Sequence, residues 1–275
     1  MKPDHQEIGV GATEELSLRV SVATLVSVLF DNPEDGRTML ALERTATLRD
    51  IEGRPELIVK AKPFGGAVRL TNPQILKEQI GYFQYDSERS RAEGDFRIQI
   101  YPPSWEKVKE ICWEHLKGME KDILDSSPER ELAEEFEETL NVRITSDQYH
   151  LKPRGMIVED LPVGTDNVRA EGLPTVRIYC VFEARMEAPE IIRMMLANHR
   201  GYSEKDLQNM AWEDALQGGK GRANAILALG LDELKKLYRS IATDRRREPI
   251  SIRGHQLDGN VLAILEEVDN PARKI

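Results

Sequence analysis

From Glu129 to Glu138 the chain reads ERELAEEFEE, six carboxylates in ten positions. At about 100° per residue, Glu131, Glu134, Glu135 and Glu138 stand at i, i+3, i+4 and i+7 and share one stripe of a helix. Leu132, Ala133, Phe136 and Leu140 share another, the face to be buried. Oxygen ligands repeated along one stripe suit a hard cation such as Mg²⁺ or Mn²⁺, and Arg130, one turn before Glu134, is placed to pair with it. A solvated acidic face would use the same residues. Each exposed like-charge pair costs only about 0.2–0.5 kcal/mol, so the stripe costs ~1–2 kcal/mol and a surface helix tolerates it. Periodicity alone leaves both readings open.

The elements around this helix decide what it can meet. Ser126 or Ser127 is a hydroxyl cap, Pro128 fits the first turn, and the early acids face the positive end of the helix dipole. Upstream, residues 16–30 read as a long strand, NPEDG (32–36) as a turn and residues 37–44 as the returning strand. A third extended segment, 56–70, is interrupted by Gly65 and Gly66. Paired glycines inside a strand pattern mark a bulge or a place where backbone must approach something closely. Lys60, Lys62 and Arg69 flank them and could meet an anionic ligand or simply solubilise a strand edge.

Residues 71–127 are mixed: a capped turn at TNPQIL, a loop at DSERSRAEGD, a short strand at 96–101 and a helical pattern over 104–124. Two more strands follow at 150–160 and 175–186. From Pro189 the pattern is mostly helical, including 224–241 and 260–268. Strands, an acidic helix, strands and then helices imply an α+β fold, or a three-layer α/β/α sandwich on a mixed sheet. The expected divisions are a tail at 1–15, a domain at 16–190 carrying 71–127, and a helical C-terminal region at 191–275. That last region would complete the sandwich, cover the site or form a homodimer interface.

RELAEE (Arg130 to Glu135) resembles the core of the Nudix hydrolase signature, G-x5-E-x7-R-E-U-x-E-E-x-G-U, where U is a bulky aliphatic residue. GGAVRL (65–70) resembles its glycine start, and the strand order over 16–190 is similar to that of a Nudix domain. The resemblance implies a Nudix-like α/β/α sandwich with a helical C-terminal extension. Gly65 lies 65 positions before Arg130, against about fourteen in the signature, so the motif loop would carry an insertion of about fifty residues. Thr71 and Asn72 stand where the early glutamate is expected, with Asp122 the substitute by counting. Phe136, Glu137 and Glu138 replace x-G-U, so the helix continues a turn and Asn141 takes the left-handed cap.

The resemblance further implies a Mg²⁺- or Mn²⁺-dependent attack of water on a diphosphate in a nucleoside diphosphate derivative or related phosphorylated small molecule. Glu134 and Glu135 would be the main metal ligands, Glu131 a ligand or orienting acid, and Arg130 a clamp on one carboxylate. Glu138, Glu187 or Glu190 would serve as base. Gly65, Gly66, Lys62 and Arg69 would line the diphosphate. The rival reading is a Nudix-like module without efficient turnover that senses a ligand or binds a protein.

Composition narrows the field. A net charge of −10 opposes general attraction to nucleic acid or an anionic membrane. No apolar stretch reaches the ~18–20 residues of a membrane span, and the N-terminus has no signal-type apolar core, so a cytoplasmic protein is expected. Cys112 and Cys180 read as buried free thiols. The five histidines form no HxH or HxxxH pair to suggest zinc. GGKGR (218–222) reads as a helix connector, DRRRE (244–248) as a solvated run, and Trp105 and Trp113 as packing residues or base-stacking platforms.

Overall fold

A computed structural model of the chain describes residues 16–118, 122–164, 172–197, 204–216, 225–242 and 250–269. Strand β1 (Leu18–Asp31) turns at 32–36 into β2 (Thr38–Ile51), with Val28 opposite Ala41 and Phe30 opposite Met39. β2 outruns its expected end. Past Ala41 it leaves β1, and from Glu43 on it pairs with β3 (Arg54–Lys62) through a turn whose Glu52 and Gly53 both have positive φ. The chain then crosses back to β1: Val26 N–H donates to Phe64 O (2.8 Å), Thr24 N–H to Gly66 O (2.9 Å) and Val68 N–H to Val22 O (3.1 Å).

The following elements are β4 (Arg69–Leu70), α1 (Pro73–Ile80), β5 (Gln84–Tyr85), α2 (Glu88–Glu93), β6 (Arg97–Ile100), α3 (Trp105–Leu116), β7 (Leu124–Asp125) and α4 (Pro128–Leu140). Next come β8 (Tyr149–Val163), β9 (Thr175–Met186), α5 (Pro189–Ala197), α6 (Glu204–Leu216), β10 (Ile226–Gly230) and α7 (Leu231–Ala242). β11 (Ser251–Ile252), β12 (His255–Leu257) and α8 (Gly259–Asp269) end the series.

One large mixed sheet holds the molecule together. β9 runs parallel to β1 along one edge, with β8 outside it. The other edge of β1 takes β6, the 64–68 crossing and β2 in turn. Even-numbered residues of β1 and β9 face one way: Val26, Val28, Phe30, Cys180 and Phe182 meet Leu132, Phe136 and Leu140 of α4, while Val20, Val22 and Ile178 meet Val108, Ile111 and Cys112 of α3. Odd-numbered Leu25, Leu29, Tyr179 and Val181 meet Leu234 of α7 and Val261, Ile264 and Leu265 of α8. Helices on both faces explain why β1 reads as a nearly unbroken apolar run. No helix among the described residues is long and apolar enough to cross a membrane.

Several local expectations are corrected. Within residues 71–127, β5 and β6 extend the sheet, and a buried Arg19–Asp86 pair (2.7 Å) ties them to β1, with the Ser90 hydroxyl also donating to Asp86. The expected loop DSERSRAEGD contains α2, capped by Ser87 and stopped by left-handed Gly94. The helix expected to reach 124 stops at Leu116, before Gly118 with φ +71. The C-terminal region is not helical throughout: Ile226–Gly230 pairs with β2 and β12 with β3. So short an apolar run has no period that separates strand from helix, and here both of its faces are covered. Cys112 and Cys180 are buried free thiols; burial pushes the Cys180 thiol up to about 12.

Candidate active site

The long excursion between Gly66 and α4 is closed by a two-strand neck. β4 pairs antiparallel with β7, Arg69 opposite Asp125 and Leu70 opposite Leu124. Thr71 N–H donates to Ile123 O (2.8 Å) and the Thr71 hydroxyl to Asp122 O (2.9 Å). The Thr24 hydroxyl on β1 donates to Ser126 O (2.6 Å), fixing the chain as it enters α4. The glycine pair and the acidic helix therefore meet despite their separation in sequence.

Both glycines are held to that identity by what surrounds them. Gly65 has φ +137, and a Cβ there would lie 2.0 Å from Thr24 O, a backbone atom that cannot yield. A Cβ on Gly66 would lie 2.3 Å from Glu131 Oε2. The bare backbone of Gly66 is thus a cradle for the Glu131 carboxylate.

α4 has the expected extent and faces. Leu132 and Phe136 are fully buried, and Phe136 stacks on Phe64 with centroids 5.2 Å apart. Its N-terminus differs from expectation: Ser127 occupies the cap position without a side-chain cap bond, and Ser126 Oγ instead lies 3.0 Å from His115 Nε2. Asn141 takes the left-handed cap at φ +55, its N–H reaching Glu137 O and Phe136 O.

The acids of α4 have different surroundings. Glu131 is buried, with its Oε1 2.8 Å from Arg130 Nη2; burial raises its carboxyl above the usual range while Arg130 opposes the shift. Glu134 is half exposed and lies 3.3 Å from Arg130 Nη1. Glu138 is exposed. Glu135 turns under the sheet's fork and meets a partner that the helix pattern does not reveal, Glu43 of β2.

Glu43 stands where β2 leaves β1 and takes up β3, on the face of Met39 and Ala41 that α4 covers. Its side chain is 4% exposed, and Lys62, directly opposite on β3, holds its Nζ 2.6 Å from Glu43 Oε2 and 4.0 Å from Glu135 Oε1. Burial pushes the Glu135 carboxyl up to about 8; Glu43 adds to the shift by charge and hydrogen bond, and Lys62 opposes it. Glu135 Oε2 is buried with no hydrogen-bond partner among the described residues.

Of the other residues singled out in the sequence, Arg69 is exposed on β4, and its charge reaches Glu131. Asp122 sits exposed at the neck. Glu187 lies 3.3 Å from His150 Nε2, and Glu190 accepts from Gln148 Nε2 (3.2 Å), contacts that tie both to the start of β8. Trp105 is buried and donates to Asp160 (2.8 Å); Trp113 carries Lys117 over its ring. GGKGR and DRRRE lie outside the described residues.

The orphaned Glu135 oxygen and the Gly66 cradle beside Glu131 fit a divalent cation. Among the described residues, however, no three His, Cys, Asp or Glu side chains already converge as a metal cage.

No family model matches the chain, and no curated protein matches it. Among solved structures, the crystal structure of a mutT/nudix family protein from Listeria innocua covers 92% of this chain and 91% of its own, at 11% identity and a TM-score of 0.31. A likeness of that size supports no statement about this chain's fold or chemistry.

Proposed function

We propose that the protein is a divalent-cation-dependent hydrolase of the Nudix type, acting on a diphosphate linkage in a nucleoside diphosphate derivative or a related phosphorylated small molecule. The observation that carries this reading is the neck: β4 and β7 close the excursion so that Gly66 lies against Glu131, with Gly65 packed on the Thr24 backbone. A chain that merely displayed an acidic helix to solvent would have no reason to set a bare backbone cradle beside a buried carboxylate.

In this reading Glu131, Glu134 and Glu135 hold Mg²⁺ or Mn²⁺. When bound, the cation supplies charge neutralisation for the diphosphate and makes an attacking water more acidic. Arg130 orients Glu131 and Glu134 through the contacts it already makes. Lys62 and Arg69 face the diphosphate oxygens. Gly65 and Gly66 let the crossing strand pack against Thr24 and against the Glu131 carboxylate, which sets that carboxylate in the site. Glu138, exposed one turn beyond Glu134, takes the proton from water.

The test is turnover of a panel of nucleoside diphosphate sugars, dinucleoside polyphosphates and nucleoside triphosphates with Mg²⁺ or Mn²⁺. Glu135→Gln is expected to lower kcat/KM at least about a hundredfold while the protein stays folded. A second reading, a ligand-sensing module without turnover, is favoured by one observation: Glu134 is half exposed and engaged with Arg130 rather than converging with Glu131 and Glu135. A wild-type protein that binds a diphosphate analogue but turns over nothing on the panel would establish that reading.

A further inference from the structure

Two serines stand at the start of α4 and neither caps it. Ser127 holds the cap position without a side-chain bond, and Ser126 Oγ lies 3.0 Å from His115 Nε2, in the last turn of α3. A serine hydroxyl at this place ordinarily satisfies a first-turn N–H. Here the chain is fixed by other means. The Thr24 hydroxyl donates to Ser126 O (2.6 Å), and the Ser127 N–H donates to Asp125 Oδ1 (3.0 Å). Pro128 has no N–H, so the first donor at the mouth of the helix is the Glu129 N–H, for which the helix itself offers no acceptor.

Ser126 and His115 open into a cavity of about 340 Å³ between α3, α4 and the outer strands β8 and β9. Glu129 lines the same side as the pair, and Leu116, Leu151, Pro153 and Phe182 make an apolar wall. Leu151 stands opposite Ala184 and Pro153 opposite Phe182, and the register shifts directly after Pro153, a bulge that bends the outer strand at the cavity. The volume and the apolar lining suit a small organic ligand, for which sites run ~300–1,000 Å³. A carboxylate ligand would meet the charge of Glu129, whereas a neutral acyl group would not. The cavity is separate from the acids that face the glycines: Glu131 lies at the 64–68 crossing along one edge of β1, and the cavity lies over β9 and β8 along the other.

We propose that this cavity is a second hydrolytic centre, for short-chain carboxylic esters, with Ser126 as nucleophile and His115 as general base. A hydroxyl held by an imidazole, a helix N–H beside it and an apolar recess are the parts that acyl transfer requires. With the His115 proton on Nδ1, Nε2 takes the Ser126 hydroxyl proton as Oγ bonds to the ester carbonyl carbon. The same proton passes to the alcohol oxygen as the C–O bond breaks, leaving Ser126 acylated. Water then gives a proton to His115 Nε2 and adds to the acyl carbon. The carboxylic acid departs as Ser126 Oγ takes that proton back. The Glu129 N–H donates to the carbonyl oxygen while it carries negative charge, and the acyl chain lies against Leu151 and Phe182. The steps consume only ester and water.

The probes are p-nitrophenyl butyrate in the presence of EDTA and an alkyl fluorophosphonate. Wild type should turn over the ester in EDTA. The fluorophosphonate should stop that turnover and leave its adduct on Ser126, located by peptide mass mapping, with no adduct on the heat-unfolded chain. Ser126→Ala and His115→Gln, each confirmed as folded by thermal melts, should lower kcat/KM at least about a hundredfold. His115→Gln should slow labelling of Ser126 by a similar factor, a readout that a merely structural histidine does not move. Where either variant fails to fold, wild-type turnover and the position of the adduct decide alone. No turnover by wild type, an adduct elsewhere or none, or undiminished turnover in either folded variant overturns the proposal. Such a failure leaves the diphosphate reading standing, because that reading is tested by Mn²⁺ binding at Glu134 and Glu135.

Discussion

The entry and the flank of α4 are built on opposite principles. At its entry the neck, the Thr24–Ser126 bond and the two glycines leave the chain one way to run. Seven residues beyond Pro128, Glu135 lies buried beside a second carboxylate, Glu43, and one of its oxygens has no hydrogen-bond partner among the described residues. The entry is where geometry is fixed, and the flank is where free energy is stored. Unsatisfied polar groups are rare in native interiors, and they persist where a ligand or a reaction completes them.

The largest effect expected from breaking this contrast is at the entry. Gly65→Ala places a Cβ against Thr24 O at a φ that L residues rarely adopt, and it should cost ~3 kcal/mol or more. Urea denaturation would show it as a lowered midpoint or as loss of folded protein. A stability near wild type would mean that the crossing of 64–68 onto β1 is not rigid.

At the flank the sign reverses. The Glu135 carboxyl titrates near 8 in the folded chain against an ordinary value of 4.5, so the folded state binds more protons than the unfolded state between those values. Wild-type stability should then fall as pH rises from about 4.5 to about 8. Glu135→Gln removes the penalty. The variant should match wild type near pH 4 and exceed it by about 2–4 kcal/mol at pH 9. Thermal melts across that range check it, and a constant offset at every pH would contradict the burial of charge at this flank.

A smaller effect sharpens the entry. Thr24→Val keeps the shape and deletes the hydroxyl that meets Ser126 O, which should cost about 1–2 kcal/mol because the carbonyl is left without its donor. It should also loosen the neck, read as faster hydrogen exchange of the Thr71 amide that bonds Ile123 O. An unchanged exchange rate would separate the helix entry from the neck.

The two regions also differed in how far the sequence disclosed them. The acidic helix showed itself through its period, its Pro128 start and the Asn141 cap, and the glycine pair showed itself as a close approach. These signals are local, so a single chain carries them. Glu43 was invisible. In ALER it reads as one more strand-end charge, and its meaning comes from register with Lys62 and from α4 lying above, both tertiary facts. β4 and β7 are two residues each, too short for any alternation to register. Ile226–Gly230 sits inside a helical pattern in the sequence because its four apolar residues fit either element. The helical cap expected at Ser126 or Ser127 failed because Ser126 is drawn to His115 instead.

The claim that the glutamates of α4 serve a cation against a diphosphate is tested most directly by calorimetric titration of Mn²⁺ at pH 8.5. At that pH the Glu135 proton, held with a pKa of about 8, no longer competes strongly. Wild type and Glu134→Gln/Glu135→Gln would be compared, each checked for folding and each with and without methylene diphosphonate. The account predicts saturable binding in wild type, strengthened by the diphosphonate and lost in the double variant. Identical isotherms for the two folded proteins under both conditions would contradict it and leave the stripe as a solvated helix face.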